Sequence, residues 1–364
     1  MILVTGATGL VGSHLLYELL SKGEKVKALK RQSSDTNRVL KTLGYYTGEP
    51  ENLFSGIEWI NGDVTDRESL DPAFLDVDKV YHAAGMISMD PADRAEMARI
   101  NIEGTANIVN LCVEKKIRKL CHVSSVAAFG HRVPPVVVDE NVSWKAGTHK
   151  LTYRVTKFNA EMEVWRGMAE GLEAVIVNPS IIIGPGDWRK GSPAMFDRVA
   201  KGLKFYTHGV TGYVDVRDVA KAMILLMESS EKEEHFILNS ENLSFQELFE
   251  MIAIELNKPV PSIAATRFMT GLAWRLDYAR KKLLGGTSLI TREAVASAHK
   301  ETLYSNEKVR KALGIDFIPI RESVMNTVRC YCESGAKKAE GGRRKAEGTR
   351  RKAQDARHKA EGKK

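Results

Sequence analysis

The chain has 364 residues, 43% of them apolar, with 54 Lys and Arg against 46 Asp and Glu, a net charge of +8. That is enough for a large α/β domain and a smaller one without disulfide or metal staples, and no apolar run is long enough to span a bilayer. The four cysteines (Cys112, Cys121, Cys330, Cys332) form no CxxC pair, and residues 335–364, with 12 basic and 4 acidic residues, carry the whole excess charge; a zinc-ribbon, a disulfide scaffold and a uniformly basic nucleic-acid-binding body are therefore excluded, and no metal site is expected.

Met1–Val4 reads as a short buried strand, and with a strand opening at Met1 a cytoplasmic protein is expected. Gly6, Gly9 and Gly12 follow at three-residue spacing, and Ser13–Leu20 reads as a helix. A strand that runs through glycines into a helix N-terminus suits a dinucleotide. One glycine turns the chain, one admits the pyrophosphate, and one lets helix pack on strand. Val26–Lys30 is a second strand ending at Arg31. NAD-preferring sites place a carboxylate there for the ribose 2′-hydroxyl. A cation followed by Ser33 and Ser34 suits a 2′-phosphate instead, so NADP(H) is expected ahead of NAD(H), against the alternative of a solvated strand end.

Ile57–Ile60 is a third strand, followed by Gly62-Asp63-Val64, and Asp66–Leu75 is a short helix. Val77–Ala83 is a fourth strand ending in His82-Ala83-Ala84-Gly85, where small residues leave room for a cofactor and His82 is expected to be structural. Residues 91–116 read as a long helix holding Asn101. Lys119–Ser124 is the next strand, with Ser125 at its end. Thr152 opens a helix to about Gly171, which places Tyr153 and Lys157 one turn apart on one face. Glu173–Val177 leads into Asn178-Pro179, and Tyr213–Val216 is a strand followed by Asp218 as a helix cap. The alternation predicts an α/β fold: a Rossmann-type doubly wound parallel sheet over 1–178, completed by segments near 205–240, with a smaller, mainly substrate-binding region over 179–334.

Ser244-Phe-Gln-Glu247 is a capping box. Phe268–Leu284 is amphipathic and is expected to pack on the substrate region, rather than act as a lid or lie on a membrane. Beyond residue 335 a Lys-Ala pair recurs every seven residues with no apolar residue larger than Ala, which excludes a coiled coil. A disordered or solvated appendage is expected, with only weak, charge-driven attraction for polyanions and no specific nucleic-acid or membrane partner.

The glycine turn, Ser124-Ser125, Tyr153-x-x-x-Lys157, His82-Ala-Ala-Gly85 and Asn178-Pro179 stand in an order and spacing that resembles the extended short-chain dehydrogenase/reductases over roughly residues 1–330. The likeness is greatest to the dihydroflavonol-reductase-like and NAD-dependent epimerase/dehydratase branch. The resemblance implies that Tyr153 is the general acid/base, Lys157 its helper, Ser125 the holder of the substrate oxygen, and Asn101 part of a proton relay. It implies cofactor contacts from Gly6, Thr8, Gly9, Leu10, Val11, Gly12, Arg31, Asp63, Val64, Ala83, Ala84, Gly85, Tyr153, Lys157, Asn178 and Pro179. It also implies a homodimer through the helices near 91–116 and 152–171.

Physical chemistry supports these roles. A free phenol has a pKa near 10, and an ammonium one turn away, together with the charge of an oxidised nicotinamide, should favour the phenolate. Ser125 can donate to a carbonyl oxygen as charge grows on it. The chain also departs from the family. Val126-Ala127 replaces the Asp-Glu pair of sugar dehydratases, so dehydration is not expected. Phe129 replaces a common Tyr, and Asn178 stands where many sugar epimerases carry Arg. The leading expectation is NADPH-dependent reduction of a ketone or aldehyde. An NAD-dependent sugar or nucleotide-sugar epimerase and a non-catalytic nucleotide-binding scaffold are the alternatives.

Overall fold

The computed structural model describes residues 1–130, 137–142, 144, 152–284 and 291–335. The expectation of a disordered tail falls outside that set, apart from residue 335 itself.

Ile2–Thr5 (β1) is a fully buried strand that turns through the glycines into the helix Leu10–Ser21 (α1), three residues earlier than expected. Val26–Lys30 (β2) follows. The stretch to Gly56 holds two short helices, Asn37–Leu43 and Pro50–Ser55. Ile57–Asn61 (β3) leads to Arg67–Leu70, where the expected helix gives way to a 3-10 turn at Asp71-Pro72, since proline cannot donate to the helix. Lys79–His82 (β4) precedes a helical run interrupted by a π-helical turn at Arg99–Glu103 and resumed in Gly104–Glu114 (α2). Lys119–Val123 (β5), Thr152–Ala169 (α3), Ala174–Pro179 (β6), Val216–Glu228 (α4) and Glu234–Leu238 (β7) complete the domain.

The seven strands form one parallel sheet in the order β7-β6-β5-β4-β1-β2-β3. The connection reverses direction at β1, so the crevice beyond the carboxyl ends of β1 and β4 is where this class of sheet receives a ligand. The strands read as apolar runs because both faces are covered. On one face Leu15, Leu16, Val219, Met223 and Met227 pack with Val4 and Val177. On the other, Ile108, Leu111, Val164 and Met168 pack with Leu3, Val80 and Ile176.

The 205–240 stretch divides. Glu234–Leu238 joins the main sheet, whereas Val210–Asp215 is the centre of a separate three-stranded sheet between Ile181–Ile183 and Glu241–Ser244. The helix Phe245–Glu255 (α5) and residues 320–328 cover it with a third core that includes Phe196, Tyr213, Leu248 and Ile320. The capping box forms as expected, with Ser244 and Glu247 each bonding the other's backbone N–H. The cap of α4 is a correction: Asp215, not Asp218, holds the helix N-terminus. Asp218 instead accepts a hydrogen bond from Ile318 N–H at 2.7 Å and ties the C-terminal segment to the fold.

Arg267–Leu284 (α6) is one helix of 18 residues, as its pattern indicates. The face it turns to the protein differs from expectation. Phe268, Leu272, Leu276 and Leu283 are exposed, and the helix docks through polar groups: the Thr270 hydroxyl pairs with His299 Nε2 at 2.8 Å, and Lys281 with Asp90. No helix among the described residues is long and apolar enough to cross a membrane.

Candidate active site

The opening turn leaves no room for side chains. Gly6 has φ +67°, and a Cβ there would lie 2.4 Å from the Ala83 carbonyl oxygen, in the small-residue segment after β4. A Cβ on Gly12 would lie 2.2 Å from Gly6 O, so helix and strand approach more closely than any other residue permits. A Cβ on Gly9 would meet only Gly6 O, at 3.1 Å, with open space beyond. That space faces the first turn of α1, whose cap residue, Gly9, contributes no side-chain hydrogen bond. Gly9 N–H donates to Gly6 O at 2.9 Å, and a pyrophosphate laid across the turn would meet the N–H groups of the first turn of α1 and the positive end of the helix. The loop therefore fits a dinucleotide on its geometry.

Arg31 is exposed at the end of β2, and its N–H donates to Ser34 Oγ at 3.1 Å. Its charge reaches Asp63. Burial would raise that carboxyl, but donation from Thr65 N–H (2.9 Å) and Thr65 hydroxyl (2.8 Å), then the fields of Arg31 and Arg99, hold it below its ordinary value. Val64 is buried against Gly104, where a Cβ would come within 2.7 Å of the valine methyl. His82 is structural, as expected. Its Nδ1 pairs with Thr5 Oγ1 (2.7 Å) and its Nε2 with Thr105 Oγ1 (3.0 Å), and burial, then the charge of Lys157, lower it to about 3.

At the carboxyl ends of β5 and β6 the structure brings Ser125, Tyr153 and Lys157 together. Ser125 opens a short 3-10 turn, and its Oγ accepts from Ala127 N–H at 3.1 Å. Its hydroxyl also hydrogen-bonds the Tyr153 phenol. Lys157 is buried and donates to Val123 O at 2.8 Å. Burial lowers its ammonium to about 8, partly offset by the Glu161 carboxylate one turn further along α3.

The surroundings of the Tyr153 hydroxyl act in the opposite direction to the ammonium. Tyr153 is partly exposed as a residue, yet desolvation around its hydroxyl raises the phenol above its ordinary value. The Ser125 hydrogen bond and then the Arg154 charge offset this. Burial thus favours the protonated phenol.

Asn101 lies in the π-helical turn, buried, with its amide fully used. Nδ2 donates to Met86 O (3.0 Å) and Thr156 Oγ1 (3.1 Å), and Oδ1 accepts from Met86 N–H (2.7 Å). It clamps the segment after β4 to the helix that bears Tyr153 and Lys157. Extra-residue turns of this kind gather at functional sites. Asn178 Nδ2 donates to Ser125 O at 3.1 Å and to Glu161. Its Oδ1 is buried with no partner.

Sequence reasoning missed three residues here. Glu161 stands four residues after Lys157, a same-face spacing visible in the sequence. Thr156 precedes Lys157 and carries no signal of its own. Arg154, which donates to Phe129 O at 2.6 Å, is recognised only when the fold closes.

A three-layer parallel sheet with a glycine-lined phosphate cradle and a Ser–Tyr–Lys cluster at its carboxyl edge defines a nicotinamide-dependent oxidoreductase of the short-chain dehydrogenase class. Residues 2–239 match the model of the NAD dependent epimerase/dehydratase family, and the chain belongs to that family. It is 29% identical over 278 residues to sterol demethylase protein B of Methylococcus capsulatus, across 76% of this chain and 80% of that one. It is 29% identical to cinnamoyl-CoA reductase 1 of Oryza sativa subsp. japonica, across 92% and 91%. Among solved structures, the crystal structure of gox2253 superposes with a TM-score of 0.77 at 28% identity, covering 92% of this chain and 98% of that one. The protein is an NAD(P)-dependent enzyme.

Proposed function

We propose that the protein reduces the carbonyl group of a small or medium organic molecule with NADPH, with Tyr153 as the proton donor. The observation that carries this reading is the hydrogen bond between the Ser125 hydroxyl and the Tyr153 phenol. Reduction needs a proton for the oxygen that gains charge, and a phenol held above its ordinary pKa keeps that proton at neutral pH. The name of the rice relative, a reductase of an acyl-CoA, favours the same direction.

NADPH, held by the β1–α1 turn, would supply the hydride for the carbonyl carbon. Ser125 donates to the carbonyl oxygen and holds it beside Tyr153. Tyr153 gives its proton to that oxygen as the C–H bond forms, leaving an alcohol. Lys157 carries positive charge beside the developing phenolate. Asn101 and Asn178 position the segments that carry these groups. Arg31 would meet the 2′-phosphate that distinguishes NADPH from NADH. The four cysteines are free and three are buried, which suits a cytoplasmic setting.

The test is a titration with NADPH and NADH followed by a screen of aldehydes and ketones, read as loss of NADPH absorbance. Tyr153→Phe should lower kcat by about 10²- to 10⁴-fold and leave the NADPH affinity within about twofold, since the phenol contributes to catalysis rather than to phosphate binding. A Tyr153→Phe protein with undiminished turnover would sink the assignment. A tightly retained nucleotide with no exchange would move the epimerase reading to first place.

A further inference from the structure

The helix α6 presents an amphipathic face in the opposite sense from a helix of a soluble core. Phe268 is 81% exposed, Leu272 48%, Leu276 62%, Leu283 82% and Met269 39%. Ala279 is exposed with them. At 3.6 residues per turn these six positions fall within an arc of about 100°, a continuous stripe along a helix about 27 Å long. The opposite side faces the protein, with Asp277 buried, Thr270 paired with His299 and Lys281 with Asp90. The stripe is therefore not a core face left open by chance; the helix is seated by polar contacts that hold its apolar side outward. Monomeric surfaces rarely show so many large apolar side chains in one line unless something covers them.

The charges around the stripe identify what covers it. The helix carries Arg267, Arg275, Arg280, Lys281 and Lys282 against one carboxylate, Asp277. Arg275 and Lys282 project along one edge of the stripe, and Arg280, paired with Asp277 at 2.9 Å, along the other. Long cationic side chains beside an apolar stripe keep their stems in contact with it and their heads at the level of anionic groups. The basic tail is an unsuitable occupant. Residues 336–364 contain no apolar side chain larger than Ala and carry the same sign of charge. Two α6 helices placed face to face would bring two cationic rims together.

We propose that α6 is an interfacial anchor that lays this stripe into the headgroup region of an anionic lipid bilayer. It lies on the membrane without crossing it, in keeping with an 18-residue helix that is polar on its other face. This differs from the sequence-based expectation of no specific membrane partner. The cationic rim draws the helix to anionic lipid, and burial of Phe268, Leu272, Leu276 and Leu283 then holds it there.

The experiment is sedimentation of the full chain with vesicles of phosphatidylcholine alone and of phosphatidylcholine with phosphatidylglycerol. Binding to the anionic vesicles should exceed binding to the neutral ones by about tenfold or more. A fraction should persist at about 0.5 M salt, where charges are screened beyond about 4 Å. The double variant Leu272→Glu, Leu276→Glu alters only exposed positions, so it should keep the parent's circular dichroism and melting temperature. It should bind the anionic vesicles at least about tenfold more weakly. Replacing Lys338, Lys345, Lys352 and Lys359 with Gln should leave the salt-resistant fraction unchanged. Equal binding by the double variant, loss of the salt-resistant fraction in the tail variant, or no vesicle binding by the parent would each overturn the proposal. A parent dimer that the double variant dissociates, without vesicle binding, would assign the stripe to a second copy of the chain.

Discussion

Lys157 and Arg31 illustrate how much a single side chain's surroundings decide. Burial sets Lys157 near 8, so its proton leaves in a range where Tyr153 still keeps its own. If the ammonium supports the reaction, kcat/KM for carbonyl reduction should hold across neutral pH and fall above about pH 8, with the midpoint near the lysine's value; a profile flat to pH 10 would remove Lys157's charge from the mechanism. Arg31 is exposed, and its predicted role is recognition. Arg31→Ala should weaken NADPH binding by about tenfold or more and change NADH binding by less than about threefold, because only NADPH offers the 2′-phosphate. Equal losses for both cofactors would assign Arg31 to general phosphate attraction. The sequence displayed both residues at recognisable positions. It did not disclose that the Lys157 ammonium would be buried against the Val123 carbonyl, because that depends on a strand 34 residues distant.

Elements place these residues, and they do so through short junctions. The β1–α1 turn tolerates no added carbon at Gly12, since a Cβ there would lie 2.2 Å from Gly6 O and 2.8 Å from Ala7 Cα. Both are backbone atoms that cannot move aside without displacing the helix. Gly12→Ala should therefore abolish measurable NADPH binding and lower the melting temperature, whereas an unaltered affinity would contradict the geometry. The π-helical turn at Arg99–Glu103 has the opposite character: its distortion brings the Asn101 amide to both Met86 and Thr156. Asn101→Ala should raise KM and lower kcat together by about tenfold or more, because two elements lose their common anchor. A change in kcat with KM untouched would point to direct participation of Asn101 in proton transfer. The long helix around residue 101 was visible as a pattern in the sequence. Its π turn was not, since one extra residue per turn scarcely alters an apolar period.

Across the whole molecule, buried neutral histidines couple stability to pH. Burial lowers His14 to about 4 and His82 to about 3, both from an ordinary 6.5. The unfolded chain therefore takes up protons first as pH falls, and stability present above pH 6.5 is lost as pH drops toward 4. Asp218 works the other way, raised by burial to about 6, so that it favours the folded state as pH falls from 6 to 4. Two histidines outweigh one carboxyl, and the net loss is on the order of a few kcal/mol. Thermal melts from pH 7 down to pH 4.5 should show a steady decline in melting temperature. A flat profile would mean that the histidines are not held neutral in the core.

The sequence by itself determined the class of the fold and the order of the site residues. The glycine spacing, the alternation of apolar strands with helices, and Tyr153 four residues before Lys157 are local regularities. Each is written within one turn or one strand, where steric and hydrogen-bonding rules act on neighbours in the chain. Only the tertiary structure decided which groups meet and which face solvent. The Ser125–Tyr153 hydrogen bond, the Asn101 clamp and the tie from Asp218 to Ile318 join residues 15 to 100 positions apart. The helix Arg267–Leu284 makes the same point in reverse. Its amphipathic pattern is plain in the chain, but a pattern specifies two faces without saying which one the protein keeps. That choice rests on the partners at His299 and Asp90, which hold its polar side and turn Phe268, Leu272, Leu276 and Leu283 outward.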